Sequence, residues 1–311
     1  MEKILQLQSS QSGTQDNESR VKFSIGLRWE DWEADYSDSL NESFNPADKM
    51  SGGKISLIKS MTNGTNMYAS LAKGYKQGGF NLGLGLDANS TNQNLAYDPE
   101  FLTNYELGIN TKLLDSKINF NGVLFYSNRE DQQVLISTQT DPSDPNTFSF
   151  LTQNAAEGVN HGLEINMDID ISESLSAFLN LGMLKTEIKN WQSRQDLEGR
   201  AQAHAPEKSY ALGLNWAPTS DTYLAIDFTG KSSFYYSDSH NNKSKSYVLT
   251  NLNLGYVKNN WSYELWARNV FDEYYSVRGF YFGNEAPNFI DTLYERHGDP
   301  RNIGFSIRYD F

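Results

Sequence analysis

Apolar and polar residues alternate with a period of two along much of this chain, most clearly at its carboxy terminus. There, Ile303, Phe305, Ile307, Tyr309 and Phe311 alternate with polar residues or glycine. A period of two places successive side chains on opposite faces of a β-strand, whereas a helix repeats about every 3.6 residues. The same pattern recurs at 21–29, 105–113, 163–169, 175–183 and 261–267. The sequence therefore predicts an all-β protein whose strands each have one apolar and one polar face.

The connections between the predicted strands alternate in length. Twelve strands are predicted, at 21–34, 53–61, 67–77, 101–114, 117–129, 157–171, 174–190, 207–217, 221–234, 246–257, 260–270 and 301–311. Short turns rich in Asn, Asp, Ser and Gly, such as 62–66 and 258–260, are typical of hairpins. Long polar connections separate these hairpins, at 35–52, 78–100, 130–156, 191–206, 235–245 and 271–300. This alternation favours an antiparallel up-and-down transmembrane β-barrel, with short periplasmic turns and long extracellular loops.

Composition agrees with a barrel and excludes a helical membrane protein. The mean hydropathy is −0.61 although 13% of the residues are aromatic. A barrel needs apolar residues only at alternate positions, and it uses aromatic residues at both membrane interfaces. No run approaches the roughly 20 apolar residues of a spanning helix. Aromatic residues near strand ends are therefore expected at the interfaces, among them Trp29, Trp191, Trp216 and Trp261.

Several other functions are not supported by the residues. The net charge of −13 would repel nucleic-acid phosphates, so we expect no nucleic-acid partner. The four histidines are scattered without HxxxH or HxH spacing, and the acidic segment 141–146, which could contact Ca²⁺, lacks EF-hand spacing and is expected to be a solvated turn. No GxSxG or Walker A motif is present, so we expect no enzymatic activity, no cofactor and no metal site.

Several motifs of the chain occur together, in the same order, in one known family. They are YASLAKGYKQGGFN (68–81), YDPE (97–100), TNYELG (103–108), NAAEG (154–158), GLE (162–164), ARNVFDEYY (267–275) and GDPR (298–301). With the terminal strand, they resemble the barrel of TonB-dependent outer-membrane receptors over residues 67–311. Each motif alone would be weak, but the set is specific.

The resemblance implies a receptor whose barrel of about 22 strands is filled by an amino-terminal plug. The twelve predicted strands would then be the last twelve. We expect residues 21–311 to be the C-terminal portion of this barrel, without the plug and the early strands. Residues 1–20 are polar and show no period, so we expect an irregular leader or the remnant of a preceding loop. Because they contain no apolar export signal, we expect the chain to be a piece of a longer precursor.

The resemblance also implies a function. It would be active uptake of a scarce ligand across the bacterial outer membrane, most often a ferric siderophore, with energy passed on by the TonB complex. Without the plug, this portion is expected to be inactive alone. Two other interpretations stay open: a self-contained twelve-stranded passive pore and a soluble carbohydrate-binding β-sandwich.

The long loops carry the candidate ligand-binding residues. Aromatic rings and a guanidinium above the lumen could hold a flat, anionic ferric chelate, which points to Tyr235, Tyr236, Tyr281, Tyr294 and Arg296. Packing between loops would account for the same residues equally well. The identity of the ligand does not follow from the composition of the loops.

The terminal strand has two expected roles. Its apolar face should close the barrel against membrane lipid, and it should be the signal for the barrel-assembly machinery. The residues expected to carry both roles are Phe305, Ile307, Tyr309 and Phe311.

Overall fold

The computed structural model describes residues 2–10, 20–37, 43–81, 96–139, 148–191, 194–238, 240–283, 285, 287–288, 290 and 292–311. Its main element is one antiparallel sheet of thirteen strands, which follow one another in chain order. These strands are β1 (Glu2–Ser10), β2 (Arg20–Glu33), β5 (Ala47–Ser60), β6 (Asn66–Lys76), β9 (Glu100–Leu113), β10 (Ile118–Gln139), β11 (Phe148–Ser172), β12 (Leu175–Trp191), β13 (Lys208–Thr219), β14 (Thr222–Lys231), β15 (Tyr247–Lys258), β16 (Trp261–Arg268) and β19 (Asn302–Tyr309). The predicted all-β, antiparallel, up-and-down architecture is confirmed.

Three small two-stranded sheets lie in the long connections. They pair β3 (Tyr36–Ser37) with β4 (Ser43–Phe44), β7 (Gly79–Phe80) with β8 (Ala96–Tyr97), and β17 (Ser276–Phe282) with β18 (Thr292–His297). A short 3-10 helix is formed by Gln195–Leu197. None of the helices in the described ranges has the length and apolar character needed to cross a membrane.

The strand register separates an apolar face from a polar one. It places Leu57, Ala69, Leu107, Leu124 and Leu163 side by side on five adjacent strands. The leucines of this row are poorly covered by protein: Leu57 is 48% exposed, Leu107 59% and Leu124 55%. The adjacent row on the other face is polar and runs through Ser56, Ser70 and Glu106. The apolar face is therefore a surface that needs an apolar solvent.

The exposed area leads to the same conclusion. The chain exposes 20490 Å², whereas a compact globular protein of its 35.3 kDa would expose about 13,000 Å². A soluble β-sandwich would bury the apolar face of this sheet against a second sheet, and the described residues form no such layer. The sandwich interpretation does not fit this structure.

The height of the apolar band matches a bilayer. Tyr105 to Leu113 on β9 pairs with Ile118 to Tyr126 on β10, and a tilted strand crosses a bilayer in about 9–11 residues. Rings mark both ends of the band. The Tyr105 and Tyr126 centroids are 6.3 Å apart at one end, and the Trp261 and Tyr309 centroids are 4.8 Å apart at the other. These pairs lie where interfacial aromatic girdles are expected.

One predicted interfacial aromatic is buried in a loop instead. Trp191 is only 4% exposed and packs with Ala156, Ile188 and Leu197, which form a small hydrophobic cluster beyond the apolar band. It is the last residue of β12, and the chain that follows folds back over it. The expectation that Trp191 lies at the interface is therefore wrong.

The amino-terminal segment also differs from its prediction. An irregular leader was expected over 1–20, but Glu2–Ser10 forms β1 and pairs with β2, with Leu5 opposite Leu27 and Leu7 opposite Ile25. The apolar alternation here is too short to indicate a strand by itself. The edge of β2 supplies the backbone partners that the isolated segment lacks.

Two strands are much longer than predicted. β10 has 22 residues and β11 has 25, whereas a strand crosses a membrane in about 9–11 residues. Their pairing continues past register irregularities near Arg129 and Gln132 to Gln139 and Phe148. The segment 127–139 therefore projects roughly 40 Å beyond the band, at the usual rise per residue. The predicted connection 130–156 is largely an extended hairpin, and the acidic segment 141–146 lies outside the described residues.

Candidate functional site

Three long connections meet at the end of the sheet opposite the short turns. They are residues 194–207 after β12, 232–246 after β14 and 269–301 after β16, and we call their described parts the loop cluster. Arg200 joins the first two. Its guanidinium donates to the carbonyl oxygens of Ser237 (3.1 Å) and His240 (2.9 Å), to Asp238 Oδ1 (3.0 Å) and to Asn241 Oδ1 (2.8 Å). With 8% of its side chain exposed, Arg200 is a structural centre of the cluster.

Tyr235 and His240 are held by the same arginine. The Arg200 guanidinium lies 4.4 Å from the centre of the Tyr235 ring, and Lys243 Nζ lies 4.2 Å from it. Burial, and next the nearby charge of Arg200, lower the pKa of His240. The neutral His240 ring then packs edge-on against Tyr281, with 4.8 Å between the centroids.

Tyr236 connects the second loop to the β17–β18 hairpin. It is 3% exposed, and its hydroxyl donates to Glu295 on β18. A Cβ atom at Gly279 would lie 2.5 Å from the Tyr236 ring, so only glycine leaves room for this packing. Burial, and next the hydrogen bond to Glu295, raise the pKa of Tyr236 from 10.0 to about 12. The same bond lowers the pKa of Glu295 below its ordinary value of 4.5.

These shifts predict how the docking of the hairpin depends on pH. Because the pKa of Glu295 is lowered, this carboxylate stabilises the docked hairpin fully above pH 4.5. The stabilisation is lost as the pH falls through the lowered pKa. Because the pKa of Tyr236 is raised, its hydroxyl stabilises the docked hairpin fully below pH 10.0. This stabilisation is lost as the pH rises towards about 12. We expect proteolysis within 276–297 to accelerate at both extremes.

In the variant Tyr236→Phe, proteolysis should no longer accelerate at alkaline pH and should accelerate less at acid pH. The rate of cleavage at neutral pH should rise a few-fold. The matched control is Tyr281→Phe, on the same hairpin, whose hydroxyl has no hydrogen bond to a described residue. If proteolysis of Tyr236→Phe still accelerated at alkaline pH, another group would control the docking.

The β17–β18 hairpin has one docked face and one free face. Gly279, Tyr281 and Glu295 lie on the face that contacts the loop after β14. The opposite face carries Phe280, which is 47% exposed, and Tyr294. Their rings are nearly parallel, with an interplanar angle of 24° and 5.8 Å between the centroids. An aromatic surface is therefore presented at the extracellular end.

Two arginines lie beside these rings. Arg278 on β17 is directly opposite Arg296 on β18, and both are exposed. Like charges directly opposite each other destabilise a strand pair. Neither guanidinium has an ion pair or hydrogen bond with another described residue. Glu285, in the connection between the two strands, accepts a hydrogen bond from Tyr294 (3.2 Å). Two guanidiniums opposite each other can share the oxygens of one anionic ligand.

The structure divides the predicted ligand residues into two groups. Tyr235, Tyr236 and Tyr281 make the contacts between loops described above, while Tyr294 and Arg296 lie on the free face of the hairpin. Sequence reasoning did not select Arg278, because its importance depends on being opposite Arg296. Only the hairpin register shows that pairing.

The motif residues of the family gather where the long β10–β11 hairpin leaves the sheet. Asn81 pairs with the backbone of Thr152 in both directions, through Asn81 Nδ2 to the carbonyl oxygen (3.0 Å) and the amide of Thr152 to Asn81 Oδ1 (2.8 Å). Asn154 exchanges two similar bonds with Asp98, at 2.6 and 2.7 Å. Side-chain amides thus imitate a strand partner and fix the base of the hairpin.

An ion pair lies at the same place. Glu100 is 7% exposed, pairs with Arg129 and accepts a hydrogen bond from the backbone amide of Gln133 (3.0 Å). A buried carboxylate needs such partners, because leaving it unpaired costs several kcal/mol, on the order of 3–5. The YDPE and NAAEG motifs therefore build a support for the hairpin.

A second support holds the loop that carries β17 and β18. Asn269 is 4% exposed and donates through Nδ2 to the carbonyl oxygens of Glu273 (2.9 Å) and Asp299 (3.1 Å). Its Oδ1 accepts from the amide of Glu273 (2.8 Å). Asp272 Oδ1 accepts from the amide of Arg301 (2.8 Å). The two ends of the loop are thus joined, and the free face of the hairpin is held in place.

The histidines remain separate from one another. His161 stacks on Tyr126, His204 packs on Phe234, and His297 bonds to Tyr274 with 2.6 Å between Nε2 and the hydroxyl. Within the described ranges, no group of three or more His, Asp or Glu side chains could hold a metal ion.

Comparisons with known proteins agree with this architecture. The family model described as TonB dependent receptor-like, beta-barrel matches residues 10–270. The pesticin receptor of Yersinia pestis is 23% identical over 269 residues, which are 83% of this chain and 36% of that protein.

Two solved structures have the same fold. The ferric yersiniabactin uptake receptor FyuA from Yersinia pestis has a TM-score of 0.74 at 17% identity, over 95% of this chain and 44% of that one. The siderophore receptor PiuA from Acinetobacter baumannii has a TM-score of 0.70 at 16% identity, over 93% and 40%. The chain thus spans about two fifths of the length of these relatives. It belongs to the TonB-dependent receptor-like β-barrel family of the outer membrane.

Proposed function

We propose that this chain forms the wall and part of the ligand-binding mouth of a receptor that takes up a ferric siderophore. The observation that carries the proposal is that Arg278 and Arg296, which have no ion pair with another described residue, lie beside the nearly parallel rings of Phe280 and Tyr294. A ferric chelate built from aromatic ligands presents planar rings at its surface and is often anionic. Rings would contact its faces, and guanidiniums would bind its oxygens.

The relatives support the same ligand class. The solved neighbours are receptors for ferric yersiniabactin and for siderophores. Uptake driven through TonB is proposed for the receptor as a whole, because the chain spans only 36% to 44% of the relatives' length. The rigid supports at Asn81, Asn154 and Asn269 would hold the loops open for the ligand in the absence of any bound molecule.

The test is binding of two radiolabelled iron probes by the protein as its gene encodes it. One probe is iron(III) tris-catecholate, which is anionic; the other is a neutral ferric trihydroxamate of similar size. The double variant Arg278→Glu/Arg296→Glu should weaken binding of the anionic probe at least tenfold, which corresponds to about 1.4 kcal/mol. It should change binding of the neutral probe far less.

The control variant makes the same charge change at the other end of the barrel. Lys117→Glu/Lys258→Glu alters exposed residues at the short turns and should leave both affinities within about twofold of the wild type, because charges more than a Debye length of ~10 Å away are screened. Equal loss in both double variants would mean a general electrostatic effect. Unchanged anionic binding in Arg278→Glu/Arg296→Glu would contradict the proposed mouth.

A further inference from the structure

The apolar face of the sheet contains a large groove. It has a volume of about 1070 Å³ and runs across seven adjacent strands, from β5 to β13. The apolar side chains that line it include Leu57, Leu71, Leu107, Leu124, Leu163 and Met183. Ala69 lies between Leu57 and Leu107 in the register, so a small residue is found where its neighbours are large. The groove is larger than the roughly 300–1,000 Å³ of a pocket for a drug-sized ligand.

The extracellular end of this groove is basic. His161 on β11 is directly opposite Lys185 on β12, and Met183 on β12 is opposite Lys208 on β13. All four residues line the groove. The His161 ring stacks on Tyr126, with 6.2 Å between the centroids, and Tyr126 marks the upper edge of the apolar band. The basic residues are therefore at the depth of lipid headgroups.

These lysines form no ion pair with a described carboxylate, although Glu187 lies close enough to interact with the charge of Lys185. Lys185 and Lys208 are exposed and have no ion pair with any other described residue. The next outward acid on β12, Glu187, is paired with Lys189 (2.6 Å). Glu207 also lines the groove, without an ion pair to a described residue.

The depth of the lysines indicates which ligand would suit them. A lysine facing lipid is far less unfavourable near the membrane interface than at the bilayer midplane. Beside an anionic headgroup, it is instead stabilised by the opposite charge.

We propose that the groove binds one phosphate-bearing lipid of the outer leaflet. Lys185 and Lys208 bind its phosphate, and its acyl chains lie over Leu107, Leu124, Leu163 and Met183. The site is on the outer wall of the barrel and does not include Arg278 or Arg296, so it is independent of the siderophore proposal. It gives the receptor a bound lipid in addition to the bulk membrane around it.

Native mass spectrometry of the complete gene product in mild detergent tests this site. The probes are phosphatidylglycerol and monogalactosyl diacylglycerol with the same acyl chains, one anionic and one neutral. The wild type should retain one molecule of phosphatidylglycerol, with at least a tenfold preference over monogalactosyl diacylglycerol. Lys185→Gln/Lys208→Gln should reduce this preference to within about twofold, and Ala69→Phe, which fills the groove, should reduce retention of both lipids.

Two controls accompany this measurement. Lys59→Gln/Lys117→Gln removes two exposed lysines at the opposite end and should keep the preference. The fraction of Lys185→Gln/Lys208→Gln that reaches the heat-modifiable form should match that of the wild type, which shows that the barrel is folded. Equal retention of the two lipids by the wild type would overturn the proposal. So would complete displacement of the lipid by millimolar inorganic phosphate, because the site would then recognise the free anion.

Discussion

Ile109→Arg should destabilise the assembled barrel by about 2–4 kcal/mol. Ile109 lies midway along the apolar band of β9, opposite Gly122 on β10, and on the same face as Leu107. An arginine there would place its charge near the centre of the bilayer, where no polar partner is available. The measurement is the urea midpoint of the protein folded into lipid vesicles, together with the fraction that reaches the folded, heat-modifiable form.

The adjacent residue is the matched control. Asn110 has the same depth in the membrane, but it lies on the polar face of β9 and is exposed there. Asn110→Arg should therefore cost less than about 1 kcal/mol, because its charge remains in the aqueous or polar interior. If the two variants were equally stable, the assignment of the outward face would be wrong. If Asn110→Arg were the more damaging, the sheet would be facing the opposite way.

Asn269→Leu should release the loop that carries the β17–β18 hairpin. The substitution keeps the branching and the number of side-chain heavy atoms, but it removes three hydrogen bonds of a side chain that is 4% exposed. The amide of Glu273 and the carbonyl of Asp299 would then lack partners, at about 1–3 kcal/mol each. We expect cleavage within 271–300 to accelerate at least tenfold and anionic chelate binding to fall, while the urea midpoint of the barrel changes little.

A second asparagine distinguishes the loss of the Asn269 hydrogen bonds from the cost of placing leucine in a left-handed backbone. Asn269 has a φ of 47°, and Asn259, in the turn between β15 and β16, has a φ of 53°. Asn259 is exposed, and its side chain has no hydrogen bond to a described residue. Asn259→Leu therefore reports only the cost of the left-handed backbone, about 1–2 kcal/mol. Equal loop release in both variants would show that the hydrogen bonds of Asn269 do not hold the loop.

The strands of the membrane band were predictable because each one contacts two solvents. A lipid face and an aqueous face impose the period-two pattern on every strand separately, so rows such as 105–113 and 175–183 could be recognised without knowing their neighbours. The short turns also follow from local residues, and the strands end close to the predicted turns. β1 was missed because its few apolar residues form too short a pattern. The extension of β10 and β11 was missed because outside the membrane both faces meet water, and the alternation disappears.

The loops could not be interpreted in the same way. Tyr235, Tyr236 and Tyr294 have similar chemistry in the sequence, yet Tyr236 is buried against Gly279 and Tyr294 is on the free face of the hairpin. These outcomes depend on contacts between segments that are far apart in the chain. The family motifs were recognised as a set, but their role as supports for two loops depends on hydrogen bonds such as Asn154 to Asp98 and Asn269 to Asp299.

The sequence by itself determined the fold class, the direction of the strands and the end of the barrel that carries the long loops. These properties are local, because alternation and turn chemistry act over a few residues. Only the tertiary structure decided which aromatic residues are supports and which are free. It also placed Arg278 opposite Arg296 and brought Lys185 and Lys208 to the end of one groove. Such pairings are set by strand register, which fixes the neighbours of each residue across the sheet and has no signature within a single strand.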